Sequence, residues 1–162
     1  MNILSFKTSF GWITLSEENN QILSVEFGKK KNKGKSNLLT KIKKQILEFT
    51  KGKRKKFSTK LKIIGTPLQK KIWHQLSLIK YGSTKTYGDI AKILKTSPRY
   101  VGNVCGQNKH LIIVPCHRVI RSDGSPGGFS APGGLKTKKK LLNFFKQNLF
   151  NITPDMRSPP TM

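Results

Sequence analysis

The chain has 162 residues, 35% of them hydrophobic, enough for one compact domain or two small ones with an economical core. Its 32 lysines and arginines against 7 acids give a formal charge of +25, a balance that says nothing about fold but favours polyanionic partners and fast, salt-sensitive encounter. No apolar stretch approaches the ~20 residues of a membrane span, no basic segment precedes a long apolar one at the start, and two cysteines are too few for a disulfide-stapled secreted domain, so a soluble cytoplasmic chain with no membrane partner is expected.

In chain order, "ILSFKT" and "GWITLSEENNQILSVEF" carry β-branched and aromatic residues around the polar turn Glu17-Glu18-Asn19-Asn20, which predicts a hairpin or meander. The run "KKKNKGK" (29–35), like "KGKRKK" (51–56), reads either as solvated surface or as part of a polyanion-binding face. From Ser36, "SNLLTKIKKQILEF" has helical spacing in Leu38, Leu39, Ile42, Ile46, Leu47 and Phe49, with a serine N-cap and Gly52 at its close. "FSTKLKII" predicts another extended segment. A domain boundary is expected near residues 62–65, dividing the chain into an α+β unit over 1–64 and a second unit over 65–150, with a proline-rich, disordered tail over 151–162.

The second unit opens on "GTPLQKKIWHQL". Thr66 is the N-cap, Pro67 the first helical residue, Gln69 completes a capping box, and Leu68, Ile72, Trp73 and Leu76 form the buried stripe. In "TYGDIAKILKTSPRYVGNVCGQN" the apolar residues Ile90, Ala91 and Leu94 line one helix. Thr96-Ser97 makes a turn and N-cap, Pro98 opens a second helix carrying Val101, Val104 and Cys105, and Gly106 suits the position after its end. Two short helices joined by a tight turn, with small Gly102 in the second, fit a helix-turn-helix, and beside the charge they point to DNA. A last helix is expected from about Leu135, with Leu141, Leu142, Phe145 and Leu149 apolar.

Between these helical stretches lies "IIVPCHRVIRSDGSPGGFS" (112–130), where Cys116 stands between Pro115 and His117 inside an apolar run. Neighbours in sequence point to opposite faces of a strand or about 100° apart on a helix, so a direct thiolate–imidazolium pair is awkward in regular structure. A turn after Pro115 or a bridging water would link them. A papain-like protease, whose partner histidine is distant in sequence, does not fit. Cys105, His110, Cys116 and His117 have no standard zinc spacing, so neither a metal nor another cofactor is expected.

"PCHRVI" resembles the active-site motif of the O6-alkylguanine-DNA alkyltransferases, the methylated-DNA–protein-cysteine methyltransferases, and "GTPLQKKIW", "YGSTKTYGDIA" and "SPRYVGNVCGQN" match further family motifs in the right order. The resemblance implies an α+β fold: a small N-terminal ribonuclease H-like α/β domain, then a mostly helical winged-helix domain with a helix-turn-helix. It implies single-turnover repair of double-stranded DNA containing O6-alkylguanine (O4-alkylthymine is also considered) by a monomer. By the same resemblance Cys116 is the nucleophile and alkyl acceptor and His117 its water-mediated base. Tyr87 helps to rotate the nucleotide and contacts the guanine edge, and Asn108 braces the turn carrying Pro-Cys-His. Arg99 fills the gap left by the flipped base, with Pro98, Tyr100, Gly102 and Asn103 beside it on DNA. Val114, Pro115, Phe129, Ser130 and Lys138 surround the base pocket, and Gly127, Gly128, Gly133 and Gly134 permit its loop. Two departures stand out: Lys109 replaces the usual proline after Asn108, and Phe145 occupies the position of the glutamate that orients the histidine. The second keeps open an alternative, a damage-signalling protein that binds alkylated DNA and transfers little.

Overall fold

The computed structural model describes residues 1–127 and 137–142. Strands β1 (Asn2–Thr8), β2 (Gly11–Glu18) and β3 (Gln21–Phe27) form an antiparallel meander in the order β1-β2-β3. Asn19 and Asn20 both take positive φ, 52° and 62°, the geometry of a two-residue hairpin turn whose twist suits the flanking strands. Helix α1 (Asn37–Thr50) begins where Ser36 Oγ accepts the Leu39 amide, and it lays Leu39, Ile42, Ile46 and Phe49 against Phe6, Ile13, Leu15, Ile22 and Val25 of the sheet. Gly52, at φ 76°, turns the chain just after the helix.

Part of the first lysine run is built into this layer. The Lys33 carbonyl accepts the Ile3 amide at 2.8 Å, the Lys33 amide returns the bond to Ile3, and Asn32 Oδ1 accepts the Ser5 amide. The "FSTKLKII" segment, expected to be extended, pairs with β3 at one point, the Leu61–Ile22 bridge, where the Lys60 carbonyl accepts the Ile22 amide at 2.8 Å and the Lys62 amide donates to the Ile22 carbonyl at 2.9 Å.

A second core follows. Helix α2 (Pro67–Ser77) has the expected capping box and buries Ile72, Trp73 and Leu76, while Leu68 is only half-buried. Trp73 Nε1 donates to the Val104 carbonyl at 3.1 Å. Strand β4 (Lys85–Thr86), helices α3 (Tyr87–Leu94) and α4 (Pro98–Gly106), and strand β5 (Val119–Ile120) complete the order, with β4 and β5 paired in parallel. Gly106 is the last residue of α4, one position inside the expected end. Residues 137–142 are helical, within the last helix expected from sequence. Phe129, Ser130, Gly128, Gly133, Gly134, Phe145 and the 151–162 tail lie outside the described residues.

The two cores meet along residues 108–114. The Val25 amide donates to the Lys109 carbonyl at 2.8 Å, the Leu111 amide donates to the Val25 carbonyl at 3.1 Å, and the His110 ring Nε2 lies 3.1 Å from the Ile22 carbonyl oxygen. Ile112 and Ile113 pack into the sheet-and-α1 core, whereas Leu111, Val114 and Cys116 pack into the helical one. Reversing sides within four residues needs a sharp turn. The Ile113 amide reaches back to the Leu111 carbonyl at 2.8 Å, a γ-turn with Ile112 at its centre at φ 72°. That conformation strains a β-branched residue, and complete burial of the side chain holds it there. Ile112→Ala should therefore destabilise the protein by about 2–5 kcal/mol, the usual loss for emptying a core site. Ile112→Gly should be more stable than Ile112→Ala by about 1 kcal/mol, the reverse of the ordinary ranking, because only glycine relieves the positive φ. Urea unfolding of both variants checks the order.

Candidate active site

Helices α3 and α4 present the face expected to meet DNA. Thr86 caps α3: its Oγ accepts the Asp89 amide at 2.9 Å while Asp89 Oδ2 accepts the Thr86 amide at 3.0 Å. The helix ends at Lys95 in the left-handed region (φ 56°, ψ 47°), and the chain enters α4 through Ser97, whose Oγ accepts the Tyr100 amide. Ile90, Ala91, Val101, Val104 and Cys105 pack inward, while Pro98, Arg99 and Asn103 are exposed along α4. Tyr100 is half-buried against the helical core, a packing role as much as a contact. A methyl built on Gly102 would stand 3.9 Å from the Tyr87 ring, an ordinary contact, so the glycine is not sterically required there.

Cys116 and His117 sit behind this face. A second tight turn delivers them: Pro115 (φ −83°, ψ 65°) centres an inverse γ-turn closed by the Cys116 amide and the Val114 carbonyl at 2.8 Å. Residues Cys116–Arg118 then form one turn of 3₁₀ helix, and all three are buried. The turn expected after proline is thus present. Asn108 stands at its other end. Its Nδ2 donates to the Val114 carbonyl at 2.8 Å, and its Oδ1 accepts the His110 amide at 2.9 Å. Lys109 keeps the backbone bond of this position, since its carbonyl accepts the Val25 amide as a proline carbonyl would.

Burial dominates the electrostatics. It raises the Cys116 thiol above its ordinary value, against the Asn108 hydrogen bond and the Lys138 ammonium, which both favour thiolate. Burial, reinforced by the Arg118 and Lys138 charges, holds His117 well below the ordinary histidine range, so its imidazole is neutral at pH 7. Across the cavity Lys138 Nζ donates to Tyr87 Oη at 3.2 Å. Burial and the two nearby thiols push the Tyr87 phenol up to about 12. Gly127, at φ 71°, abuts this tyrosine: a methyl there would come within 2.9 Å of Tyr87 Oη. Cys105 is a buried packing residue whose thiol burial pushes up to about 12.

The structure therefore brings together Cys116, His117, Asn108, Tyr87, Val114, Pro115 and Lys138, with Arg99, Pro98 and Asn103 on the adjoining exposed face. Asp89 and Asp123, the two acids described after Glu48, are exposed and engaged locally, Asp89 in the α3 cap and Asp123 accepting from the Ser125 amide and hydroxyl. Neither replaces the missing glutamate. Sequence reasoning overlooked Arg118 and Lys55, both 1% exposed. A charge inside the apolar run 111–120 was the available signal for Arg118; Lys55, one lysine among several, offered none.

Residues 67–144 match the family model described as 6-O-methylguanine DNA methyltransferase, DNA binding domain. Among curated proteins, the inducible methylated-DNA–protein-cysteine methyltransferase of Bacillus subtilis is 41% identical over 105 residues, 64% of this chain and 58% of that protein. A probable enzyme of the same name from Acanthamoeba polyphaga mimivirus is 37% identical over 91% of this chain and 99% of its own, and that of Sulfolobus acidocaldarius is 31% identical over 89% and 92%. The chain spans little more than half the length of the Bacillus relative and nearly all of the viral one. Among solved structures, Mycobacterium tuberculosis OGT in complex with DNA superposes with a TM-score of 0.81 at 28% identity, covering 90% of this chain and 93% of that one. An O6-methylguanine DNA methyltransferase from Methanococcus jannaschii gives 0.64 at 26% identity, covering 88% and 93%. The motif order, the buried Pro-Cys-His turn and these full-length likenesses agree: the chain belongs to the methylated-DNA–protein-cysteine methyltransferase family.

Proposed function

We propose that this protein repairs DNA by direct reversal, moving a methyl or larger alkyl group from O6 of guanine in duplex DNA onto Cys116 once per molecule. The observation that carries the reading is the seating of Cys116: a cysteine on a braced turn, beside a neutral histidine, directly behind an exposed helix pair. Residues 1–64 then act as a ribonuclease H-like supporting layer, and 65–150 as a winged-helix domain that docks on DNA and holds the acceptor. The small β4–β5 pair beside α3 and α4 supports the winged-helix part of that reading.

Cys116 is 4% exposed, so a base stacked in a duplex cannot reach it. The alkylated nucleotide must leave the stack. The exposed face of α4 enters the groove, and Arg99, two residues after its N-cap, fills the space that the base vacates. In the pocket the Cys116 sulfur attacks the alkyl carbon in line with the C–O6 bond. A C–S bond forms, the C–O6 bond breaks with its electron pair on guanine, and the thiol proton passes through a water to neutral His117. Tyr87 Oη, with Lys138 behind it, meets the guanine edge as negative charge develops there. The thioether has no hydrolytic exit, so the protein acts once. The lesion-signalling alternative is not favoured, since the acceptor cysteine and its brace are both in place.

Three measurements test this reading. Intact-protein mass after incubation with duplex O6-methylguanine DNA should rise by one methyl, located on the Cys116 peptide, with no turnover beyond one equivalent. Methyl on Cys105, or repeated turnover, would remove the assignment. Arg99→Ala should slow repair of duplex DNA at least about tenfold while leaving transfer from free O6-benzylguanine near wild type, since only the duplex requires extrusion. Equal losses on both substrates would rule out the finger role. The third is a pH profile. Burial raises the thiol above its ordinary 9.0, and thiolate increases with pH, so the transfer rate should climb through pH 9 rather than level off near neutrality. Phe145→Glu, restoring the family carboxylate, should shift this limb to lower pH in a folded variant. A wild-type rate already flat from pH 7 upward would contradict the neutral-thiol description.

A further inference from the structure

Arg118 shares the 3₁₀ turn with Cys116 and His117 but faces the other core. Its Nη1 donates to the Ile79 carbonyl at 2.8 Å, and its guanidinium lies 5.6 Å from the centre of the Tyr81 ring. Tyr81 is itself locked in place, meeting Phe49 edge-on at a ring distance of 6.0 Å while Phe49 packs on Phe57 at 4.9 Å. On the far side of this stack stands Lys55. Its neighbours Lys53 and Lys56 are exposed, yet Lys55 is 1% exposed. Its Nζ donates to Tyr81 Oη at 3.0 Å and to the Gly52 carbonyl at 3.0 Å, at the C-terminal end of α1. Burial lowers this ammonium to about 8.

A buried ammonium is an expensive way to fill space, and an apolar side chain of similar length usually serves stability as well or better. Lys55 also lies outside residues 67–144, where the family model matches. What its ammonium adds is a hydrogen bond to the hydroxyl of Tyr81, the ring on which Arg118 rests. We infer that Lys55, acting through Tyr81 and Arg118, is a positioning residue for alkyl transfer, clamping the C-terminal side of the reactive turn as Asn108 clamps the N-terminal side. The inference rests on the reading that Cys116 accepts the alkyl group. In-line displacement tolerates little error: the sulfur must approach the carbon at about 3–3.5 Å along the breaking bond. Losing the Lys55 bond loosens the Tyr81 hydroxyl end of the ring under the guanidinium, and a small shift there passes through Arg118 to the turn that carries Cys116 and His117.

Lys55→Met removes the ammonium but keeps the bulk, and Tyr81→Phe removes a single oxygen. Each should transfer methyl to Cys116 about tenfold more slowly, from duplex DNA and from free O6-benzylguanine alike, because the fault lies in the turn and not in DNA docking. Both should remain folded, with Lys55→Met melting at or above wild type. Since the two residues act in series, the double variant should be no slower than the slower single one. Wild-type rates in the folded single variants overturn the inference. So do losses that multiply in the double variant, or that appear on duplex DNA only. Should Lys55→Met not fold, the Tyr81→Phe rate decides alone. Failure of the underlying reading is visible separately, as wild-type protein that gains no methyl on Cys116.

Discussion

The bonds of one buried side chain govern much of this site. Asn108 holds the Val114 carbonyl and the His110 amide together, and so ties residues 108–114 into a closed loop just before Cys116, at the meeting of two cores. The strain at Ile112 is affordable only because that loop is pinned at both ends, by Asn108 and by the backbone pairing with β3. The gain is placement. A nucleophile on an unconstrained loop would have to find its trajectory anew with each encounter, whereas here the turn is formed before DNA arrives.

Around that loop the protein gathers positive charge without exposing it. Arg118, Lys138 and Lys55 are all buried, and each has a polar or aromatic partner: the Ile79 carbonyl, Tyr87 and Tyr81. Burial of His117 comes first in holding its imidazole neutral, and the Arg118 and Lys138 charges add to it. Lys138 also favours the Cys116 thiolate, but burial of the sulfur outweighs it. The outcome is a protected thiol with a ready acceptor for its proton.

Much of the architecture was legible in advance because it depends on local rules. The Asn-Asn turn, the Ser36, Thr66 and Ser97 caps, the Thr66–Gln69 box and Pro98 at a helix start all appear where side-chain hydrogen bonding and fixed φ demand them. The buried stripes of α1 to α4 follow from helical periodicity. "FSTKLKII" is readable as extended, but its point of pairing, Leu61 against Ile22 of β3, depends on a partner that composition cannot name. The resemblance carried by Pro115-Cys116-His117 proposes the acceptor and its companions residue by residue.

What the sequence alone determined was therefore the N-terminal meander, the helices and their order, and it proposed Cys116 and His117 as the reactive pair, since caps, periodicity and a short motif are properties of neighbouring residues. Only the tertiary structure decided that Ile112 reverses the chain between two cores, that Lys55 turns inward while Lys53 and Lys56 remain in water, and that Arg118 rests on Tyr81. It also decided that burial, not net charge, controls the thiol: a surface charge is screened over about 8–10 Å of salt solution, whereas desolvation acts at the buried sulfur itself. These outcomes depend on contacts between residues far apart in the chain, and no local pattern encodes which of several lysines will find the hydroxyl of a tyrosine 26 positions away.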